Sequence, residues 1–173
     1  MNAKPKINLK MKKLPFWPGP MGGGPLQHLR AFLGLSRRRL GLDDVLRLID
    51  SRQIRWAWDI ARRGARRPEV RIWRDSLVAC LAREEGVKPP PMENLSLDQV
   101  IEAILRRAAA LSRRAASISF YELQRRLLCC RTHLHGLIDD GELCRVGQPR
   151  QGEMPMVLYQ SAFEFLKRRS MSA

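Results

Sequence analysis

The stretch YELQRRLLCCRTHLHGLIDDGEL, residues 121–143, decides the fold. Two apolar patterns lie in it, separated by a break. Leu123, Leu127 and Leu128 recur at the spacing of one helix face, and Leu134, Leu137 and Ile138 repeat that spacing further on. The pattern predicts a short helix over 120–128 and a second over 131–140, with Cys129-Cys130 as the turn between them. Ser119-Phe-Tyr-Glu122 has the capping-box pattern, in which the serine and glutamate side chains satisfy the first free N–H groups of a helix. Gly141 stands where a helix end calls for a left-handed backbone, which glycine adopts without steric cost. Strands are predicted next over 142–146 and 156–159, around a loop through Gly147, Pro149 and Gly152, and a last helix over 161–169.

The first half repeats this order. A helix is predicted around 26–33, another over 42–51, strands over 54–60 and 70–73 around an arginine-rich loop, and a helix over 75–83. Alternation in 54–60 places Ile54, Trp56, Trp58 and Ile60 on one face and Arg55, Ala57 and Asp59 on the other. VLRLIDSRQI (45–54) matches LHGLIDDGEL (134–143) at an offset of 89, with Leu48-Ile49-Asp50 and Leu137-Ile138-Asp139 identical. VRIWRDSLVACL (70–81) matches MVLYQSAFEFLK (156–167) in pattern at an offset of 86. The difference of three residues falls in the loop between the strands, where length changes are tolerated. One small helix–ribbon–helix unit is therefore expected twice.

Between the two units, Pro89-Pro90-Pro91 forces an extended linker. Ser96-Leu-Asp-Gln99 then opens a helix predicted to run to about 115. Its apolar face carries Leu97, Val100, Ile101, Ile104, Leu105, Ala108 and Leu111, and it is expected to pack within the chain. The resulting divisions are an arm over 1–25, a first domain over 26–86, a linker over 87–95, a connecting helix over 96–116 and a second domain over 117–173. The arm is rich in Pro and Gly and holds five lysines, Lys10, Lys12 and Lys13 among them, and no acid; it reads as a flexible cationic tail carrying the rings of Phe16 and Trp17.

The 173 residues include 32 Lys and Arg against 17 Asp and Glu, a formal charge of +15. Hydrophobic residues make up 45%, enough for a core, so the excess charge points to a polyanionic partner rather than to disorder. No apolar run reaches the roughly 18 residues of a membrane span, and the lysine-rich start lacks the apolar segment of a secretory signal. Four cysteines are too few for a disulfide framework in a chain of this length, which fits a reducing cytoplasm.

Residues 117–169 resemble the excisionase-type, MerR-like winged helix-turn-helix DNA-binding domain, most sharply in the ending Leu137-Ile138-Asp139-Asp140-Gly141-Glu142-Leu143. The first half resembles it more loosely, through 45–54 and 70–81. The resemblance implies an α+β, mostly helical fold of two tandem winged helix-turn-helix domains joined by a proline linker and a helix. It also implies that the second helix of each pair enters the major groove and that the ribbon loop, the wing, reaches the backbone or minor groove. Arg131, Thr132, His133 and His135 would then read bases, and Arg150 is the one basic residue of the second wing. Three departures stand out. Cys129-Cys130 replaces the usual small-residue turn, Gly136 stands where a basic residue is common, and Asp43 and Asp44 open the first unit's corresponding helix, where they suit its dipole but oppose phosphate.

The first unit carries the stronger wing: Arg62, Arg63, Arg66 and Arg67 surround Gly64. Four guanidiniums so close together repel one another unless an anion joins them, and phosphates would supply it. The tryptophans read as sheet core rather than as base-stacking platforms. Cys129, Cys130, His133, His135 and Cys144 lack the paired spacing of a zinc site, and no metal or other cofactor is expected. None of His28, His133 and His135 has a nucleophile or carboxylate beside it, Tyr121 and Tyr159 fall at predicted packing positions, and Gly22-Gly23-Gly24 lacks the flanks of a phosphate-cradling loop. The expected function is thus non-enzymatic: a transcription regulator or excisionase-like architectural factor of a mobile element, bound to double-stranded DNA, with a homodimer or a larger nucleoprotein assembly as the further partner. No membrane or small-molecule substrate is expected, and the implied location is cytoplasmic, at the nucleoid. The alternative is an interaction subunit of a larger assembly whose winged helices no longer read DNA and whose arm grips RNA or an acidic partner.

Overall fold

The computed structural model describes residues 25–29, 40–84, 86, 88, 89, 94–105, 117–147 and 154–171. Lys10, Lys12, Lys13, Phe16, Trp17, Arg150, most of the linker and the predicted helix beyond 105 lie outside these residues. Over the described residues the fold is α+β, with about 51% helix and two small antiparallel sheets.

Chain order begins with a strand, β1 (Leu26–His28), where a helix was expected. Three residues are too few to show a period of two, so the apolar Leu26 and Leu29 mimic a helical spacing. The helix α1 (Leu42–Asp50) follows, then β2 (Ala57–Asp59), β3 (Val70–Trp73) and α2 (Arg74–Glu84). β1 and β2 flank β3, with Leu26 opposite Trp73 and Ala57 opposite Ile72. β2 is shorter than the predicted 54–60. The N–H groups of Arg55 and Trp56 both donate to the buried Ser76 hydroxyl, at 3.0 and 3.3 Å, so the ladder starts after them.

The second half contains α3 (Leu97–Leu105), β4 (Ser117–Ser119), α4 (Phe120–Leu127), α5 (Arg131–Asp139), β5 (Met156–Leu158) and α6 (Tyr159–Arg169). Both capping serines are in place. Ser96 N–H donates to the Gln99 side chain at 2.7 Å and Gln99 N–H returns to Ser96 Oγ at 3.3 Å, while Glu122 N–H donates to Ser119 Oγ at 3.2 Å. The strand predicted over 142–146 reduces to one bridge, Arg145 opposite Val157, on the side of β5 away from β4. The spatial order is therefore first, third, second, as in the first half.

The repeat holds at the level of single hydrogen bonds. α5 is α1 displaced by 89 residues at both ends. After α1, Ser51 N–H donates to Arg47 O, Arg52 N–H to Ile49 O and Ile54 N–H to Leu48 O; after α5 the same bonds run from Asp140 to Gly136, Gly141 to Ile138 and Leu143 to Leu137. Arg52 and Gly141 hold the matching left-handed backbone, at φ 58° and 73°. Side chains repeat too, at an offset of 85 rather than the 86 read from sequence: Arg83 donates to Gln53 O and Arg168 to Glu142 O, and the hydroxyls of Ser76 and Ser161 accept from the N–H groups of Arg55 and Cys144.

The two halves share a core. One cluster joins α1, α2 and the sheet through Val45, Ile49, Ile54, Ala57, Val70, Ile72, Leu77 and Cys80. The other runs from Leu26, Trp58, Ile60 and Trp73 into Ile101, Ile104, Leu123, Leu134 and Phe165 of the second half. Successive residues of β3 thus serve opposite faces, and the first sheet is buried on both. Ile54 accordingly packs away from Trp56, Trp58 and Ile60, and Ala57 is buried rather than on a polar face, both contrary to the alternation read from sequence. α3 packs on α4 and α6, so the connecting helix belongs to the second half. Ser170 bridges to Trp58, and Met171 N–H donates to Ala57 O at 2.9 Å, so the segment after α6 extends the first sheet.

Glu142 ties the end of this repeat to α6. Its carboxylate receives Arg168 at 3.2 Å and Arg169 at 3.0 Å. Burial alone would push its pKa up; the two guanidiniums outweigh burial and hold it below the ordinary carboxylate range. A carboxylate with a depressed folded-state pKa contributes stability above its unfolded pKa and loses it as pH falls through the folded value. Denaturant midpoints should therefore fall on acidification through roughly pH 4, the unfolded carboxylate range. Glu142→Gln should be less stable near neutrality and should lose less on acidification; parallel curves for the two proteins would refute this assignment.

Candidate nucleic-acid interface

The arginine loop, residues 60–69, is closed at its base by one carboxylate. Asp59 accepts from the N–H of Ala61 at 3.0 Å and of Glu69 at 2.8 Å, and Ile60 N–H donates to Glu69 O at 3.1 Å. Gly64, at φ 76°, turns the tip. Arg62, Arg63, Arg66 and Arg67 are all exposed there.

The loop does not stand free; its root lies on α5 of the second half. Arg62 donates from Nε and Nη2 to the two carboxylate oxygens of Asp140, at 2.9 and 2.8 Å, a bidentate pair with planar complementarity. The pair moves both groups: the Arg62 hydrogen bond is the largest of the effects that hold the Asp140 carboxyl below its usual range, and the Asp140 hydrogen bond likewise raises Arg62. The backbone N–H of Arg63 also helps to lower the Asp140 carboxyl. On the way, the Arg62 side chain crosses α5 at Gly136, where a Cβ would lie 2.5 Å from its Nε. His133 is 12% exposed; its Nε2 donates to Ile60 O at 2.8 Å, and its Nδ1 lies 3.3 Å from the Glu69 carboxylate. Arg71, the one charged residue of β3, is 2% exposed and donates to Leu127 O at 2.9 Å and Leu128 O at 2.8 Å, at the turn between α4 and α5.

This seam sorts the residues expected to read bases. Arg131 and Thr132 are exposed at the start of α5. His135 is half-buried, its ring 5.0 Å from that of Phe120, and Arg131 Nε lies 3.4 Å from its Nε2. His133 instead faces the first half, because the sheet that covers it comes from residues more than sixty positions away in the chain. α5 has no acid in its first turn and no side chain capping it, so its positive end meets solvent beside Arg131. α1 differs: Asp44 accepts from Gly41 N–H at 2.8 Å and Asp43 is exposed, so this end is already neutralised.

Other features sit apart from the seam. Tyr121 is 58% exposed, not packed as expected, with Arg125 Cζ 5.8 Å from its ring centroid. It lines an open groove of about 350 Å³ with Gln124, Leu128, Cys129 and Cys130. Burial pushes the Cys129 thiol up to about 12, which leaves it protonated and a poor nucleophile or metal ligand. Cys80 is core, as expected. Among the described residues, no group of three or more His, Cys, Asp or Glu could hold a metal ion, and no helix is long and apolar enough to cross a membrane.

The residues that sequence reasoning missed are Arg71, Glu69 and Asp140, which join the halves. Arg71 had one legible signal, a charge in the otherwise apolar strand Val70–Trp73. Comparison with known protein families, with curated proteins and with solved structures gives no significant match.

Proposed function

We propose that this chain is a non-enzymatic DNA-binding protein, a transcription regulator or excisionase-like architectural factor, built from two tandem winged helix-turn-helix units. The observation that carries the reading is the placement of the arginine loop: it is docked on the second unit's α5, alongside the exposed start of that helix. In this reading Arg63, Arg66 and Arg67 hold phosphates, and Arg131, Thr132 and His135 reach base edges from the N-terminal end of α5. Helices of this kind commonly read bases from that end. Neither His133 nor the covered face at Gly136 takes part. Lys10, Lys12, Lys13 and Arg150 add phosphate contacts, and a nucleoid location in the cytoplasm follows.

The test is binding of random duplex by fluorescence anisotropy between 50 and 200 mM salt. Each phosphate contact contributes about 0.9 to the log–log salt slope, so replacing Arg63, Arg66 and Arg67 together by Ala should flatten it by roughly 2.7 and weaken binding on the order of a hundredfold. An unchanged slope would remove the loop from the interface.

A second reading is favoured by the exposed acids Asp43 and Asp50 on α1 and by the occlusion of His133 and Gly136. In it the chain is an interaction subunit that grips RNA or an acidic partner. Binding of single-stranded RNA, with duplex binding weaker than about 10⁻⁴ M, would decide for it.

A further inference from the structure

The four arginines of the first loop look alike in sequence, but one is placed unlike the others. We propose that Arg62 is a positioning residue of the interface and not one of its phosphate ligands. It clamps the loop of the first half to α5 of the second, so that the remaining arginines and the start of α5 meet one continuous duplex segment as a single rigid surface. The inference rests on the nucleic-acid reading above for what the surface meets; the clamp itself does not.

Three observations define the clamp. The Nε–Nη2 edge of the Arg62 guanidinium is already taken by a two-point carboxylate partner, Asp140, so a phosphate would meet only the remaining Nη1 side of a charge that this acid already neutralises. Arg63, Arg66 and Arg67 are exposed and make no ion pair among the described residues. The helix also makes room for the clamp. A Cβ at position 136 would lie 2.5 Å from Nε, 2.6 Å from Cζ and 2.7 Å from Cδ of Arg62, so any other residue there would push the Arg62 side chain off its present path on α5. Glycine inside a helix is unfavourable, and close packing of a neighbour is a reason to keep one there.

The clamp also fixes a register. Thr132 is one helical turn before Gly136, so Arg62 holds the loop next to the exposed end of α5. The loop's base is held separately, by the Ile60 carbonyl on His133 and by the burial of Trp58 and Ile60 in the joint core. Held at Ile60 and again at Arg62, the root of the loop has no hinge relative to α5. The surface is therefore asymmetric and continuous: guanidiniums from one half, helix end from the other. Residue 136, where a cation of its own would have met phosphate, is instead the seat for the other half's arginine.

Two measurements on the full chain test this, one without nucleic acid. Hydrogen exchange in the free protein reads the Arg63 amide, which acts on the Asp140 carboxyl, and the Ala65 amide, which bonds Arg62 O. Arg62→Gln, Asp140→Ala and the charge-neutral Gly136→Ala should each speed their exchange at least tenfold, with the α5 core amides unchanged. Wild-type exchange in all three would overturn the clamp. Random duplex then separates positioning from ligation. Arg63→Gln should lower the salt slope by about 0.9, whereas Arg62→Gln should leave it nearly unchanged. Asp140→Ala removes an acid next to a polyanion site, which by charge alone strengthens binding; loss of the clamp should weaken it at least threefold instead. A full phosphate's drop in slope for Arg62→Gln, or tighter binding by Asp140→Ala, would make Arg62 a ligand and overturn the proposal. If exchange responds as expected but no variant, wild type included, binds duplex, the clamp stands and the nucleic-acid reading falls.

Discussion

Replacing Arg71 by Met should destabilise the whole chain by about 3–5 kcal/mol, the range for stripping the partner from buried charged and polar groups. The reason lies in what it satisfies. α4 ends in a left-handed residue, Leu128 at φ 51°, so the carbonyls of Leu127 and Leu128 have no helical N–H to accept. Such carbonyls concentrate the negative end of the helix dipole, and a guanidinium meets both the dipole and the geometry. Arg71 donates to both carbonyls, and also to Val70 O and the Glu69 carboxylate, so its charge is matched within the seam. Met fills similar space but leaves both carbonyls dry and Glu69 without its cation. Lys would reach one carbonyl, not two, and should recover less than half of the loss. The measurement is urea or thermal unfolding: at roughly 2–4 °C per kcal/mol for a chain of this size, the midpoint should fall by about 10 °C. Because Arg71 belongs to the first half and its acceptors to the second, near- and far-ultraviolet signals should shift together. A loss under about 1 kcal/mol would mean that water replaces the guanidinium.

That joint seam is also the part of the fold hardest to read from the sequence. The repeat was legible because its signals are local. Leu48-Ile49-Asp50 and Leu137-Ile138-Asp139 recur, each with a left-handed backbone two positions after its helix, at Arg52 and Gly141, although only the glycine announces it. The contacts that join the halves have no such signature. Arg71 reaches 56 residues ahead and His133 reaches 73 residues back, and nothing near either residue announces a partner. His133 was expected on a solvent face because helical periodicity distinguishes only inside from outside. It cannot say that a second layer covers part of the outside. The tryptophan strand misled for a related reason. Alternation is informative when one sheet face is wet, but a sheet covered on both faces has two apolar registers, and Ala57 and Trp58 belong to different ones. The arginine loop itself was plain from composition. That Arg62 differs from its three neighbours depends on Asp140 and Gly136, which were read only as parts of a turn and a helix.

Trp58→Ala should cost about 3–5 kcal/mol, the usual loss for truncating a buried tryptophan, and should reduce the cooperativity between the halves. Trp58 is fully buried on the face of β2 that meets the second half, in the cluster with Ile104, Leu134 and Phe165. It thus fills the space between the two units: the second unit's core is this shared cluster, whereas the first unit's other core, around Val45 and Ile72, is complete without it. Truncation removes the largest shared side chain, and the backbone on either side is tied down by the Ser170 bridge and by the pairing of Ala57 with Ile72, so collapse into the cavity is restricted. The indole Nε1 adds a sharper test. It is buried with no hydrogen-bond partner among the described residues, an unmet donor that already costs free energy. Trp58→Phe deletes that donor while keeping an aromatic ring, so relief of the unmet N–H offsets part of the lost volume. It should cost no more than about 1.5 kcal/mol, the range for a near-volume-conserving apolar exchange. Chemical unfolding of the two variants side by side gives the answer. If Phe proved as damaging as Ala, the indole nitrogen would have to be engaged in solution, and the dry interface between the halves would be wrong at this point.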